Sequence, residues 1–295
     1  MMSASSNNVR LLNAIIGLCM KQRDWPSLLH DYGYCVHSME LDFETSSGKE
    51  ISPDLIISSN RQRHCLLFEN KGGGLDKGRH QMDNYATLTN DDIKKWVTTM
   101  CDEFDITVAC VEENEEGISK SISDIGCKFP VIAVRSSSIT LINNNFKDSA
   151  CDALFSAGVP IDLSTAPGHY VKFIADSEEH EIAKHLIVSL VSYARRSKNT
   201  FSTQEIAGDS FGESWASYRK EKLRMSIYKK VANILEKASE GEMRGMLNKV
   251  RGERVDAIWE FTFGPNGLPE GFKKVANDFV DRVKAEATST QLMLF

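Results

Sequence analysis

The sequence predicts an α/β protein: a mixed sheet flanked by helices, joined to a second, mostly helical module. Two observations carry that class. Up to about residue 165, helical apolar stripes alternate with short runs rich in Ile, Val, Leu and Phe, the pattern of a sheet covered on its faces. Past a connecting region holding Gly158-Val159-Pro160 and Ala166-Pro167-Gly168, long helical periods take over, with one clear strand near the end. The expected modules are residues 1–165 and 170–287, followed by a tail at 288–295.

In the first module, Val9 to Lys21 sets Leu11, Leu12, Ile15, Ile16 and Leu18 at the spacing of an amphipathic helix. A short helix is expected over Trp25 to Tyr34, with Pro26 in its first turn. Met39 to Thr45 alternates Leu41 and Phe43 against Glu40, Asp42 and Glu44, as a half-buried strand does. Ile51 to Ser58 and His64 to Lys71 are apolar runs on either side of a polar turn, and read as a hairpin. Gly72-Gly73-Gly74 provides a turn into a helix containing Gln81 and Tyr85. Asp105 to Val111 is almost continuously apolar, which suits a central strand. Glu112 to Glu116 is a charge run, read as a solvated loop or the start of a helix. Phe129 to Val134 and Ile139 to Ile142 add two strands, and Asn143-Asn144-Asn145 closes the section.

The hairpin carries the chemistry. Asp54 opens its first strand, and Glu69 and Lys71 end its second. Alternation puts Glu69 and Lys71 on one face and Asn70 on the other. In an antiparallel pair the start of one strand lies beside the end of the next, so Asp54 can meet them there. Two carboxylates and an ammonium at a sheet end suit phosphodiester hydrolysis. The acids can hold Mg²⁺ through one or two oxygens each. Such a metal polarises the phosphoryl group and lowers the pKa of a bound water. A lysine can position that water or offset charge in the transition state.

Pro53-Asp54 followed by Glu69-Asn70-Lys71 resembles the motif of the PD-(D/E)XK nuclease superfamily. Gln81 and Tyr85, four residues apart on one helix face, resemble the Q-x-x-x-Y element of its RecB-like branch. The likeness covers Trp25 to Arg135. It implies a restriction-endonuclease-like mixed sheet and a Mg²⁺-dependent deoxyribonuclease in which Mn²⁺ can substitute. It further implies that Asp54, Glu69 and Lys71 are catalytic, that Asp54, Glu69 and the Asn70 carbonyl bind the metal, and that Gln81 and Tyr85 contact DNA. Many members add an acid from the first helix or strand. Asp31 and Glu40 are candidates, but a solvated strand face explains Glu40 equally well, and neither is assigned. The alternatives are a restriction-type, site-specific endonuclease and a non-catalytic DNA-binding regulator on the same fold.

The second module begins with a helix over Ser177 to Arg196, with Ile182, Leu186 and Leu190 in one stripe. His180 and His185 stand one residue too far apart for a zinc-protease helix, so that motif is set aside. Ser202-Thr203-Gln204-Glu205 is a capping box. A long helix follows over Tyr218 to Lys237, then a helical turn over Glu242 to Val250 and a strand over Arg254 to Phe263. This series resembles a winged helix, which implies DNA contact through Lys229 and Lys230, or else packing and a homodimer. Phe272 to Ala285 is a last amphipathic helix. After a small polar spacer, Gln291, Leu292, Leu294 and Phe295 resemble the peptide by which bacterial replication proteins dock on the sliding clamp.

At 295 residues the chain can bury one large or two medium cores, and nothing in it is of low complexity. The net charge is −6, yet Arg195 to Arg254 holds fourteen Lys/Arg against eight Asp/Glu, which fits a DNA-facing part beside an acidic one. Seven scattered cysteines lack zinc-site spacing, and Leu11 to Met20 is too short to span a bilayer. A cytoplasmic chain with reduced thiols and no membrane contact is expected.

Overall fold

The computed structural model describes residues 4–73, 79–262 and 271–292, with the side chains of 79–80 and 288–292 outside the description. Helix α1 (Ala4–Leu18) buries Leu11, Leu12, Ile15 and Ile16. The single turn α2 (Leu28–Asp31) leads into β1 (Tyr34–Met39). Strands β2 (Phe43–Glu44) and β3 (Glu50–Ile51) pair with each other. Then come β4 (Leu55–Ser59) and β5 (His64–Lys71), the antiparallel hairpin. Helices α3 (Arg79–Tyr85) and α4 (Asn90–Trp96) precede β6 (Glu103–Val111) and α5 (Glu115–Ile125). Strands β7 (Val131–Val134) and β8 (Ser138–Asn143), helix α6 (Ser149–Ala157) and strand β9 (Val159–Pro160) complete the series.

Seven of these strands form one mixed sheet in the order β1-β4-β5-β6-β7-β8-β9. The pairs β5–β6 and β6–β7 are parallel and the others antiparallel. The apolar strand β6 lies at the centre, as its composition requires. On one face, Cys65, Leu67, Val108 and Cys110 pack with Met82 and Tyr85 of α3, Ile93 of α4, and Ile118 and Ile122 of α5. On these terms the protein is mixed α/β, with a seven-stranded sheet flanked by helices.

Several boundaries differ from the sequence reading, each for a local reason. The strand expected over Met39 to Thr45 divides: β1 ends at Met39, Glu40 turns into the left-handed region at φ 50, and β2 joins its own small hairpin. The helix expected over Trp25 to Tyr34 shrinks to α2, and Tyr34 already belongs to β1. The charge run at Glu112 to Glu116 is the start of a helix, one of its two expected readings: a short 3-10 turn passes into α5, which buries Ile118 and Ile122. Helix α4 rests on a capping box between Thr89 and Asp92.

A second unit comprises Val171–Trp215 together with residues 221 onward, while Ala216–Lys220 belongs with the first. Its elements are α7 (Glu179–Arg195), β10 (Thr200–Ser202), α8 (Thr203–Phe211), α9 (Glu221–Glu240), β11 (Leu247–Arg251), β12 (Ile258–Phe261) and α10 (Phe272–Leu292). The three strands form an antiparallel sheet in the order β10-β12-β11. Strand β11 replaces the helical turn expected over Glu242 to Val250. Only Leu247 of it is buried, so its sequence shows no alternation. Of the strand expected over Arg254 to Phe263, Phe263 lies outside the described residues. Helix α10 continues past Ala285 through the expected spacer. Among the described residues no helix is long and apolar enough to cross a membrane.

Candidate active site

The hairpin register builds the site. Leu55 pairs with Phe68, so Asp54, the residue before β4, stands opposite Glu69. The Asn70 N–H donates to Asp54 Oδ2 at 2.6 Å, tying that carboxylate to the strand that carries Glu69 and Lys71. Glu69 is only 4% exposed. Both its oxygens are engaged: Lys71 Nζ donates to Oε1 at 2.7 Å, and Tyr85 OH donates to Oε2 at 2.8 Å. Lys71 Nζ also donates to Gln81 Oε1 at 3.3 Å, and Gln81 Nε2 donates to Tyr85 OH at 3.5 Å. Lys71, Glu69, Tyr85 and Gln81 thus close a ring. Strand alternation supplies two of them and the helical turn of α3 the other two. The Asn70 side chain is buried on its own, and neither polar atom of its amide has a hydrogen-bond partner.

The end of the strand is clamped. Gly72 N–H donates to Asn8 Oδ1 at 2.7 Å, and the Gly72 carbonyl accepts from Asn7 Nδ2 and Asn114 Nδ2, each at 3.2 Å. The first turn of α1 therefore fixes the backbone directly after Lys71.

A third carboxylate joins the cluster. The Glu40 N–H donates to the Asp54 carbonyl at 3.2 Å, and Ser52 Oγ donates to Glu40 Oε2 at 3.5 Å. Burial pushes the Glu40 carboxyl up to about 8; the Lys220 ammonium opposes that rise and Glu69 adds to it. Burial, then the charges of Glu69 and Glu40, hold Asp54 well above the ordinary carboxylate range. The Tyr85 hydroxyl is raised by its burial and by Glu69. Periodicity hid Glu40's place by reading it into a strand, whereas its left-handed backbone turns it into the cluster. Asp31, the other candidate acid, has a 65% exposed side chain beside His30 and takes no part.

These residues fit a hard divalent cation. Their donors are carboxylate and carbonyl oxygens, which suit Mg²⁺ or Mn²⁺. Crowded carboxylates driven toward protonation are what a cation would relieve. Among the described residues no three His, Cys, Asp or Glu side chains stand in metal-binding geometry. The set expected from the sequence needs only Asp54, Glu69 and the Asn70 carbonyl.

The remaining expected residues lie elsewhere. Lys229 is exposed on α9. Lys230, expected beside it as a DNA contact, instead donates to the Ser177 carbonyl at 2.8 Å within its own unit. It is half-buried there, because adjacent helical positions point about a quarter-turn apart. Of the expected tail peptide, Gln291 and Leu292 end α10 with their side chains outside the description, and Leu294 and Phe295 lie outside the described residues. No sequence signal marked Lys220, which reaches the acid cluster from the far side of the connecting region.

Among curated proteins none matches the chain. A cryo-electron-microscopy structure of the DrdV–DNA complex aligns at 11% identity over 88% of this chain, with a TM-score of 0.19, a value that does not establish a shared fold. The chain spans 22% of that structure's chain. Residues 7–171 match the MJECL32 domain family, a stretch that holds the hairpin, the ring and the whole seven-stranded sheet. Since that match covers more than half of the 295 residues, the chain belongs to the MJECL32 domain family.

Proposed function

We propose that the first unit is a Mg²⁺-dependent deoxyribonuclease of the PD-(D/E)XK kind, on a restriction-endonuclease-like sheet. The observation that supports this reading is the meeting of Asp54, Glu69 and Lys71 at one end of β4 and β5, closed by Gln81 and Tyr85. A bound Mg²⁺ would supply Lewis-acid polarisation of the phosphoryl group and a water of lowered pKa. Asp54, Glu69 and the Asn70 carbonyl would hold that ion. Lys71 donates hydrogen bonds to the attacking water or to the phosphoryl oxygens. Tyr85 and Gln81 keep Glu69 and Lys71 facing one another, and the half-buried Gln81 amide offers a contact to the DNA backbone.

The second unit, in this reading, is a winged-helix-like module. Its order of helix, strand, helix, helix, strand, strand supports that, as does the placement of β12 between β10 and β11. Lys229 is its phosphate contact, giving affinity without sequence choice. The terminal peptide tethers the enzyme to a sliding clamp and so raises its effective concentration on replicating DNA, in repair or in defence against foreign DNA. The test is incubation of the purified protein with plasmid and linear DNA, with and without Mg²⁺, beside Asp54→Ala and Lys71→Ala. Metal-dependent cutting abolished by either substitution is expected. Equal cutting by all three proteins would end the assignment, and salt-sensitive binding without cutting would favour a regulator.

A further inference from the structure

Residues Ala216–Lys220 belong to the first unit although they fall outside the family match. Tyr218 is 1% exposed and bridges Met39 in parallel fashion, and the Arg219 N–H donates to the Met39 carbonyl at 2.8 Å. Met39 ends β1, and Glu40 of the acid cluster comes next. This docking brings Lys220 to the rim of the candidate site, where Nζ meets Asp42 Oδ1 at 2.8 Å.

That ion pair is a poor reason for a lysine there. The Asp42 side chain is 57% exposed, so the pair contributes little to stability. The buried tyrosine and the backbone bonds already secure the segment. Meanwhile Lys71 already gives two of its three N–H donors to Glu69 and Gln81 and, in the nuclease reading, faces the reacting phosphoryl group with the third, so a flanking phosphate of the same strand needs a second ammonium at the rim. We propose that Lys220 is a substrate-binding residue, which leaves Asp42 to hold a backbone phosphate of the nucleic acid next to the one being cut. Arg219, exposed beside it, extends the same basic rim. The site is thereby completed by a segment from outside residues 7–171. This rests on the nuclease reading, and its test separates the two.

Steady-state cleavage of a short labelled DNA duplex in Mg²⁺ is measured across a range of salt concentrations for the full-length protein, Lys220→Gln, Lys220→Arg, Asp42→Asn and Lys71→Ala. Lys220→Gln is expected to raise KM roughly tenfold, the loss of one charged hydrogen bond, with kcat unchanged. It should also lower the slope of log KM against log salt by about one, the mark of one lost phosphate contact. Lys220→Arg should retain wild-type values, and Asp42→Asn, which frees the lysine without removing it, should not raise KM. An unchanged KM and salt slope in Lys220→Gln overturns the assignment, as does the same loss in Asp42→Asn, which would mark a structural role. If wild type cuts and Lys71→Ala does not, those outcomes condemn Lys220 alone. If wild type makes no metal-dependent cuts, or Lys71→Ala cuts equally well, the nuclease reading falls and Lys220 with it.

Discussion

Gly72→Ala tests whether the clamp behind Lys71 is a built feature of the fold. A Cβ at Gly72 would lie 2.5 Å from the Ala4 carbonyl oxygen, 2.7 Å from Asn8 Oδ1 and 2.8 Å from Asn7 Cβ. All three are closer than real Cβ contacts, and all belong to the first turn of α1. Relief requires that turn to move, which gives up the Asn7 and Asn8 hydrogen bonds to Gly72, roughly 1 kcal/mol each. Residual overpacking adds about 1–3 kcal/mol. Alanine's smaller unfolded-state entropy offsets about 0.4–1 kcal/mol. The net loss is about 2–4.5 kcal/mol, or about 4–18 °C in the melting temperature of a domain this size. Gly73→Ala is the control, since among the described residues its Cβ would meet only Ala4 Cβ at 3.8 Å. Thermal unfolding followed by circular dichroism measures both, with hydrogen exchange locating the loss to α1 and β5. A Gly72→Ala protein within about 0.5 kcal/mol of wild type would refute the clamp.

Three further outcomes are expected. Tyr85→Phe removes a buried donor from the Glu69 carboxylate and should destabilise the metal-free protein by about 1.5–3 kcal/mol in urea denaturation; no change would mean that the ring does not hold Glu69. Glu40 has a carboxyl raised in the folded state to about 8, so its contribution is present below the ordinary carboxylate range and is lost as pH rises toward 8. Glu40→Gln should therefore flatten the fall in stability between about pH 4.5 and 8, by up to about 5 kcal/mol, and an unaltered pH profile would contradict the burial assigned to that group. On α9, Lys230→Ala should destabilise the second unit by about 1–3 kcal/mol through the orphaned Ser177 carbonyl, while Lys229→Ala should leave stability unchanged and weaken DNA binding with a salt slope lower by about one. The reverse pattern in the two lysines would show that the assignment of their roles is inverted.

How much of this was legible in the sequence depended on how local its cause was. The hairpin was legible because two apolar runs flank a polar turn, and a period of two fixes which end residues share a face. Asp54, Glu69 and Lys71 follow from that register alone, and Gln81 and Tyr85 from one helical turn. Glu40 was legible only as one of two candidate acids and could not be assigned, because a left-handed residue at the close of β1 looks, in a string of letters, like one more alternating position. Strand β11 was missed because an exposed edge strand has no apolar period to display. Lys230 and Lys229 are neighbours in sequence, but only packing decides that one serves the fold and the other faces solvent. Lys220 was beyond reach, since it gets to the acid cluster through the docking of a distant segment that no local rule predicts.

Asp54 and Glu69, as proposed, form one divalent-cation site, and metal binding reports on that site without reference to cleavage. Manganese is titrated into the purified protein with free Mn²⁺ followed by electron paramagnetic resonance, for wild type, Asp54→Asn and Glu69→Gln. One site that Mg²⁺ competes for is expected in wild type, weakened at least tenfold by either substitution. Equal Mn²⁺ binding in all three proteins would show that Asp54 and Glu69 do not hold the ion.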